Sequence, residues 1–268
     1  MSDEAWKRSE PQPWREPGAK LVASLAFLTR LPISAAQRPI PLVDAMPMFP
    51  VAGLLIGGFT GMLVAFLADG GIVPLLAATL AFAATLCVTG ALHEDGLADT
   101  ADGFGGGITR DRRLEIMRDS RIGTYGTLAL IVLAIAKVAA IAAIVSSLGW
   151  CSVLVLAATG AASRAAIVWL MAKTPPARSD GLSASTGQPD GETLKWTLVI
   201  GLVIAFLLLL WTVGFLDAVF ALLAGAAATL AVQRLALRQI GGQTGDVCGA
   251  VQVASEIAML AAVTASFP

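Results

Sequence analysis

Stretches of about twenty apolar residues recur along this chain, and no other feature narrows its fold as far. A helix needs ~20 such residues to cross the hydrocarbon core of a bilayer. Backbone groups in lipid must be paired inside the segment itself or in a closed barrel. Candidate spans fall at about 46–68, 71–92, 124–147, 150–172, 194–214, 215–235 and 249–267. They predict an all-α, polytopic transmembrane bundle of about seven spans. Of 268 residues, 56% are hydrophobic and 14% charged, against about a quarter charged in soluble domains. The water-soluble classes are excluded on that ground. The net charge of −1 offers no general attraction to nucleic acid. Cys87, Cys151 and Cys248 stand apart from one another and read as small buried hydrophobes rather than a disulfide or zinc framework.

The first residues are polar and rich in Pro and charge, without the apolar core of a signal peptide. They read as a disordered tail (1–19) ahead of a single integral-membrane domain (20–268). Residues 20–34 are apolar but too short to span, and an interfacial or re-entrant helix is expected there. With the N-terminus inside and the chain alternating, sixteen of the eighteen basic residues fall on one side. Lys137 and Arg164 lie inside spans, and the opposite loops hold only Asp69 and Asp217. The expected orientation is therefore N-terminus and long polar loops cytoplasmic, C-terminus outside. No internal repeat of the transporter kind is visible. The stretch from about 92 to 123 is too long and charged for a plain connector. Residues 174–193, rich in Gly, Ser and Pro, read as a flexible cytoplasmic loop.

The acids gather in the first of these loops. In HEDGLADTADGFGGG, residues 93–107, a helical turn of ~100° per residue puts Asp95, Asp99 and Asp102 on one narrow face. Glu94 points away from it. Stacked carboxylates repel unless a cation lies between them. Oxygen donors suit Mg²⁺, with Mn²⁺ as a substitute, or Ca²⁺, and not zinc. The competing reading is a solvated acidic face, but the neighbours Leu97, Ala98 and Ala101 are apolar or small rather than compensating lysines. Gly103, Gly105, Gly106 and Gly107 can break the helix and turn N–H groups toward an anion, or simply form a turn. His93 is a candidate base, or a donor that orients a ligand.

In RDRRLEIMRDSRIGTYG, residues 110–126, Arg118, Asp119 and Arg121 are expected at substrate phosphate, since guanidinium forks onto its oxygens. Asp111 and Arg113 are expected on a solvated face. In GGQTGD, residues 241–246, Asp246 is equally readable as a helix cap or a ligand. Glu256 lies inside the last span, where an ionisable group needs a partner, and a structural pair with Lys137 or Arg164 is the simplest outcome.

Taken in order, TRLPI at 29–33, FPVAGLLIG at 49–57, HEDGLADTADGFGGG at 93–107, RLEIMRDSRIGTYG at 113–126 and GGQTGD at 241–246 resemble the cobalamin synthase family, the adenosylcobinamide-GDP ribazoletransferases. One departure is Glu94, where the resemblance leads to the expectation of an apolar residue in many relatives. The resemblance implies a Mg²⁺-dependent transferase of the bacterial inner membrane, its site facing the cytoplasm. It would join adenosylcobinamide-GDP to α-ribazole or its 5′-phosphate and release GMP. It further implies metal ligation by Asp95, Asp99, Asp102 and Asp246, with those first three and His93 as catalytic groups. Substrate would be held by Arg30, Gly105, Gly106, Arg118, Asp119, Arg121 and Thr244. Membrane lipid and a second copy of the chain are the other expected partners.

Two further readings compete. A CDP-alcohol phosphotransferase would carry D-G-x-x-A-R, but the run here is Asp95-Gly96-Leu97-Ala98-Asp99, with an aspartate and no arginine. An ion-coupled transporter would hold its carboxylates mid-span rather than in a polar loop.

Overall fold

The computed structural model describes residues 16–33 and 40–267. The expected tail lies outside them except at its end, where α1 (Pro17–Leu28) begins. A short helix α2 (Leu42–Ala45) leads through a tight turn into α3 (Phe49–Asp69). After it come α4 (Pro74–Thr89), α5 (Leu92–Gly106), α6 (Arg110–Ile116), α7 (Thr124–Leu148) and α8 (Ser152–Lys173). The chain closes with α9 (Leu182–Thr186), α10 (Gly191–Val213), α11 (Phe215–Ile240) and α12 (Gly245–Thr264). Among the described residues there is no strand, only an isolated bridge between Pro176 and Gln243. Cys248 is buried as expected, whereas Cys87 and Cys151 are exposed, which a sulfhydryl tolerates because lipid is as apolar as a core.

Among the described residues, five helical runs are long and apolar enough to cross a membrane, or six when α4 and α5 count as one bent span. About seven were expected, and the difference has two sources. The span expected at 71–92 is α4, which at 16 residues and ~1.5 Å per residue is too short to cross. It bends by 89° into α5, because Gly90 (φ 65°) and Ala91 (φ 54°) both adopt the left-handed conformation. The spans expected at 124–147 and 150–172 form one apolar run of 50 residues. That run doubles back at Gly149, since Lys137 and Arg164 both reach Glu256, at 2.9 and 3.8 Å. A straight helix would hold them roughly 40 Å apart.

Close packing begins with α3 and α8. Gly53, Gly57 and Gly61 recur every fourth residue and face Gly160, Leu156 and Val153 in antiparallel order. A Cβ at Gly57 would stand 2.1 Å from the Leu156 carbonyl oxygen, and one at Gly53 2.2 Å from that of Gly160. Small residues at this spacing let backbones touch where lipid supplies no hydrophobic push. Gly57→Val is expected to force the two helices apart and cost roughly 3 kcal/mol, the upper range for overpacking. Gly58→Ala, whose Cβ would meet its nearest atom at 3.9 Å, should be neutral. Unfolding midpoints in mixed micelles compare the two; equal effects would rule out a glycine-specific contact.

A buried charge group ties four helices together below the polar loops. Lys137 of α7 donates to Glu256 of α12 at 2.9 Å, Arg164 of α8 lies 3.8 Å from the same carboxylate, and Glu94 of α5 stands 4.0 Å from Lys137. Gln252 donates to both Glu256 and Ser163. Two positive and two negative groups balance, which is what a low-dielectric interior requires. The expected structural pair is thus a four-member set, and Glu94 belongs to it. The far end of the bundle is apolar: Leu67, Ile72, Leu148, Val213 and Phe267 share one cluster.

Candidate active site

The polar end is built by pairing two loops that the sequence holds far apart. Ala177 donates its N–H to the Gln243 carbonyl at 2.8 Å, and Gln243 returns one to Pro175 at 2.9 Å. Gly242 lies so close to Pro175 that a Cβ would meet its carbonyl at 2.4 Å. Ser183 closes the set by donating to the Gln243 side chain at 2.7 Å. The loop expected to be flexible is therefore pinned along 174–178, and Arg178 is carried to within 3.8 Å of Asp246.

A second brace comes from α6. Arg110 donates to the Ile240 carbonyl at 2.9 Å and to that of Ala177, and Arg113 donates to Gln239 at 3.1 Å. Both arginines thus satisfy carbonyls left open where α11 ends, the charge and donor type that end favours. This corrects the solvated face expected for Arg113. Asp111 does face solvent, with 93% of its side chain exposed.

Asp95 and Asp99 stand on the outer side of α5, exposed and half-buried, while Asp102 is buried. The negative charges of Asp95, Asp246 and Asp102 all bear on Asp99, so the four aspartates form one acidic patch that runs along α5 and takes in the start of α12. Asp102 has a structural task within it. It accepts the N–H of Gly123 at 2.7 Å and that of Gly126 at 2.8 Å, anchoring the first turn of α7 where donors have no helical partner. Gly123 and Gly126 are needed there, since a Cβ on either would collide with that carboxylate. Thr244 caps α12 by accepting from Val247, and donates to Asp246 at 3.1 Å. Asp246 is therefore no cap itself. Among the described residues no three His, Cys, Asp or Glu side chains are arranged to hold a metal ion. The donor set still suits a hard divalent cation: all oxygen, four negative charges, and one nearby cation in Arg178.

Other expected site residues fall elsewhere. Helix α5 runs on through Gly105 and Gly106 to its cap at Gly107, so their N–H groups are spent inside the helix rather than offered to an anion. Gly103 and Gly105 instead make room for Met117 and the Tyr125 ring. Arg118 donates to both carboxylate oxygens of Asp180 at 2.5 Å. Arg121 pairs with Asp119 at 2.7 Å while 87% exposed, and those hydrogen bonds hold the Asp119 carboxyl down to about 2. Arg30 is exposed and lies over Gly90 at the bend between α4 and α5. His93 is buried and lines both the balanced charge group and a cavity beside Asp95 and Asp246. Arg178, which the sequence reading passed over, lines that same cavity. Pro175-Pro176 just ahead of it is the signal that marks a stiff segment rather than a loose one.

Residues 20–264 match the family model described as cobalamin-5-phosphate synthase. A curated relative from Bradyrhizobium diazoefficiens, an adenosylcobinamide-GDP ribazoletransferase, is 45% identical over 90% of this chain and 92% of its own length. One of the same description from Rhizobium etli is 45% identical over 89% of this chain and 94% of its own. A third, from Azorhizobium caulinodans, is 43% identical over 90% and 94%. No solved structure matches the chain.

Proposed function

This chain belongs to the cobalamin-5-phosphate synthase family, and from that premise we propose that its polar end joins adenosylcobinamide-GDP to ribazole, or its 5′-phosphate, with release of GMP. The observation that carries the reading is the acidic patch of α5 and α12 with Arg178 beside it, at the mouth of a cavity. A ribose hydroxyl attacks the diphosphate phosphorus next to the corrinoid, the bond to the bridging oxygen breaks, and GMP departs with that oxygen. Negative charge builds on the equatorial and leaving oxygens, so positioning and countercharge supply most of the catalysis.

Asp95, Asp99 and Asp246 are the groups that would hold Mg²⁺, which when bound lends positive charge to the phosphoryl oxygens. Arg178 offers a planar fork to the same oxygens. Thr244 orients Asp246, and Asp102 keeps α7 in register with the patch. Arg118, through Asp180, ties the α6–α7 connection to the loop that carries Arg178. The test is direct: purified protein in lipid nanodiscs with adenosylcobinamide-GDP, α-ribazole and Mg²⁺ should release GMP in step with corrinoid product. Release of GMP without an acceptor, or none with either acceptor, would overturn it.

Arg178→Lys is expected to keep the charge and lose roughly tenfold or more in kcat/KM, because an ammonium cannot make the paired contacts of a guanidinium. Full activity in that variant would remove Arg178 from the phosphate site. The proposed setting is a bacterial inner membrane with the polar end in the cytoplasm. In a background free of native cysteines, Asp111→Cys should label only from the cytoplasmic side and Asp69→Cys only from the other. The reverse pattern would overturn the orientation.

A further inference from the structure

We infer that the apolar half of the cavity beside Asp95 and Asp246 is the seat of the ribazole base, an assignment that rests on the transferase reading above. The cavity is two-sided. One part of the lining is polar, from Asp95, Asp246, Arg178, His93, Ser183 and Thr186, and the other is apolar, from Phe27, Phe49, Met46 and Met171. Phe27 and Phe49 lie nearly parallel, 12° apart with ring centroids at 5.9 Å, with Phe49 buried and Phe27 partly exposed. Thioethers such as those of Met46 and Met171 pack well against aromatic rings. The cavity volume is ≈170 Å³, below the ~300–1,000 Å³ that drug-sized ligands occupy.

Three parts of the two substrates compete for this space. A corrin macrocycle exceeds it. Seated in the apolar part, guanine would bring an edge of several donors and acceptors against Phe27, Phe49, Met46 and Met171, which pair none of them, at a cost of roughly 1–3 kcal/mol for each unpaired group. The ribazole base is a fused aromatic bicycle with two methyl groups and a single free ring nitrogen, and it alone matches a small, flat, apolar slot. Seated there, its ribose points out toward Asp95, Asp246 and Arg178, where the hydroxyl has to meet the phosphorus. The same wall thus sets acceptor specificity, with Met171 and Phe27 as the residues that read the ring and its methyls.

The experiment uses full-length protein in nanodiscs and compares the parent with Met171→Phe, which fills the slot, and Phe27→Ala, which opens the edge of the stacked pair. GMP release is followed against each substrate in turn, and binding of α-ribazole alone is followed by calorimetry. Met171→Phe should raise the KM and Kd for α-ribazole tenfold or more and turn the preference toward the riboside of unmethylated benzimidazole, the scale on which a hydrophobic pocket reads a methyl group. The KM for adenosylcobinamide-GDP should stay within twofold in both variants, which also certifies that they are folded. A rise confined to adenosylcobinamide-GDP would give the slot to that substrate and overturn the assignment. So would unchanged kinetics for both substrates, with activity following phospholipid chain length, the mark of an acyl chain in the slot. Binding of α-ribazole that depends on Met171 in a parent that never turns over would support the seat and sink the transferase reading. A parent that neither binds nor turns over would sink both.

Discussion

Glu256→Gln is expected to destabilise the bundle by about 3–5 kcal/mol, the cost of breaking a buried ion pair from one side. The carboxylate holds Lys137 at 2.9 Å and Arg164 at 3.8 Å, with side chains only 7% and 4% exposed. Without it two cations share one anion, Glu94, which stands 4.0 Å from Lys137. Adding Lys137→Met should give back part of the loss, since Glu94 and Arg164, which line the same small cavity, then balance. The coupling between the two changes should reach roughly 1–3 kcal/mol for residues sharing a network. Unfolding of the single and double variants in mixed micelles measures it. A double variant as weak as the sum of its parts would show that charge balance is not what holds the group together.

The second large effect falls on chemistry rather than folding. Asp95→Asn and Asp99→Asn should each lower transfer by at least about a hundredfold, the scale of losing one preorganised electrostatic group, and should raise the Mg²⁺ concentration needed for half-maximal rate. Stability should hold or rise, since each change removes one of four crowded like charges. Asp102→Asn makes the contrast. An amide can accept only one of the two N–H groups of Gly123 and Gly126, so that variant should lose about 1 kcal/mol of stability, the worth of a helix cap. Rates and thermal midpoints across the three variants separate the roles. Near-parental rates in both Asp95→Asn and Asp99→Asn would end the case for a cation site on this face.

Much of the architecture was legible because lipid reduces folding to a question of length and polarity. Apolar runs marked the helices, and the asymmetry of Arg and Lys marked the polar end that carries the acidic patch. That Asp95, Asp99 and Asp102 lie together on α5 was legible from helical spacing, but not that Asp102 is buried and holds the start of α7. What escaped depends on contacts between distant segments. The break at Gly90-Ala91 has one glycine as its signal, and positive φ at an alanine has none. Arg110 and Arg113 look like surface charges until α11 is seen to end beside them. Arg178 acquires its position only through Ala177 and Gln243, 66 residues apart. The helical glycines after Asp102 were misleading for a related reason: a Gly cluster reads as a loop until the Tyr125 ring that needs the space is in view.

The order in which the balanced charges are made has a consequence for how the chain enters its membrane. Glu94 is synthesised first, then Lys137, then Arg164, and Glu256 only near the end. Lys137 therefore meets a partner already present in α5 when α7 is handed to the bilayer. Arg164 does not. Its partner comes 92 residues later, roughly 5–18 s at ordinary rates of synthesis, and for that interval α8 carries an uncompensated guanidinium in a half-made bundle. In the meantime it has one local hydrogen bond, with Ser163 accepting from it at 3.1 Å, and α3 packs against its stem at Gly53. Insertion of this protein is thus held open at one point, and the last helix is the one that closes it.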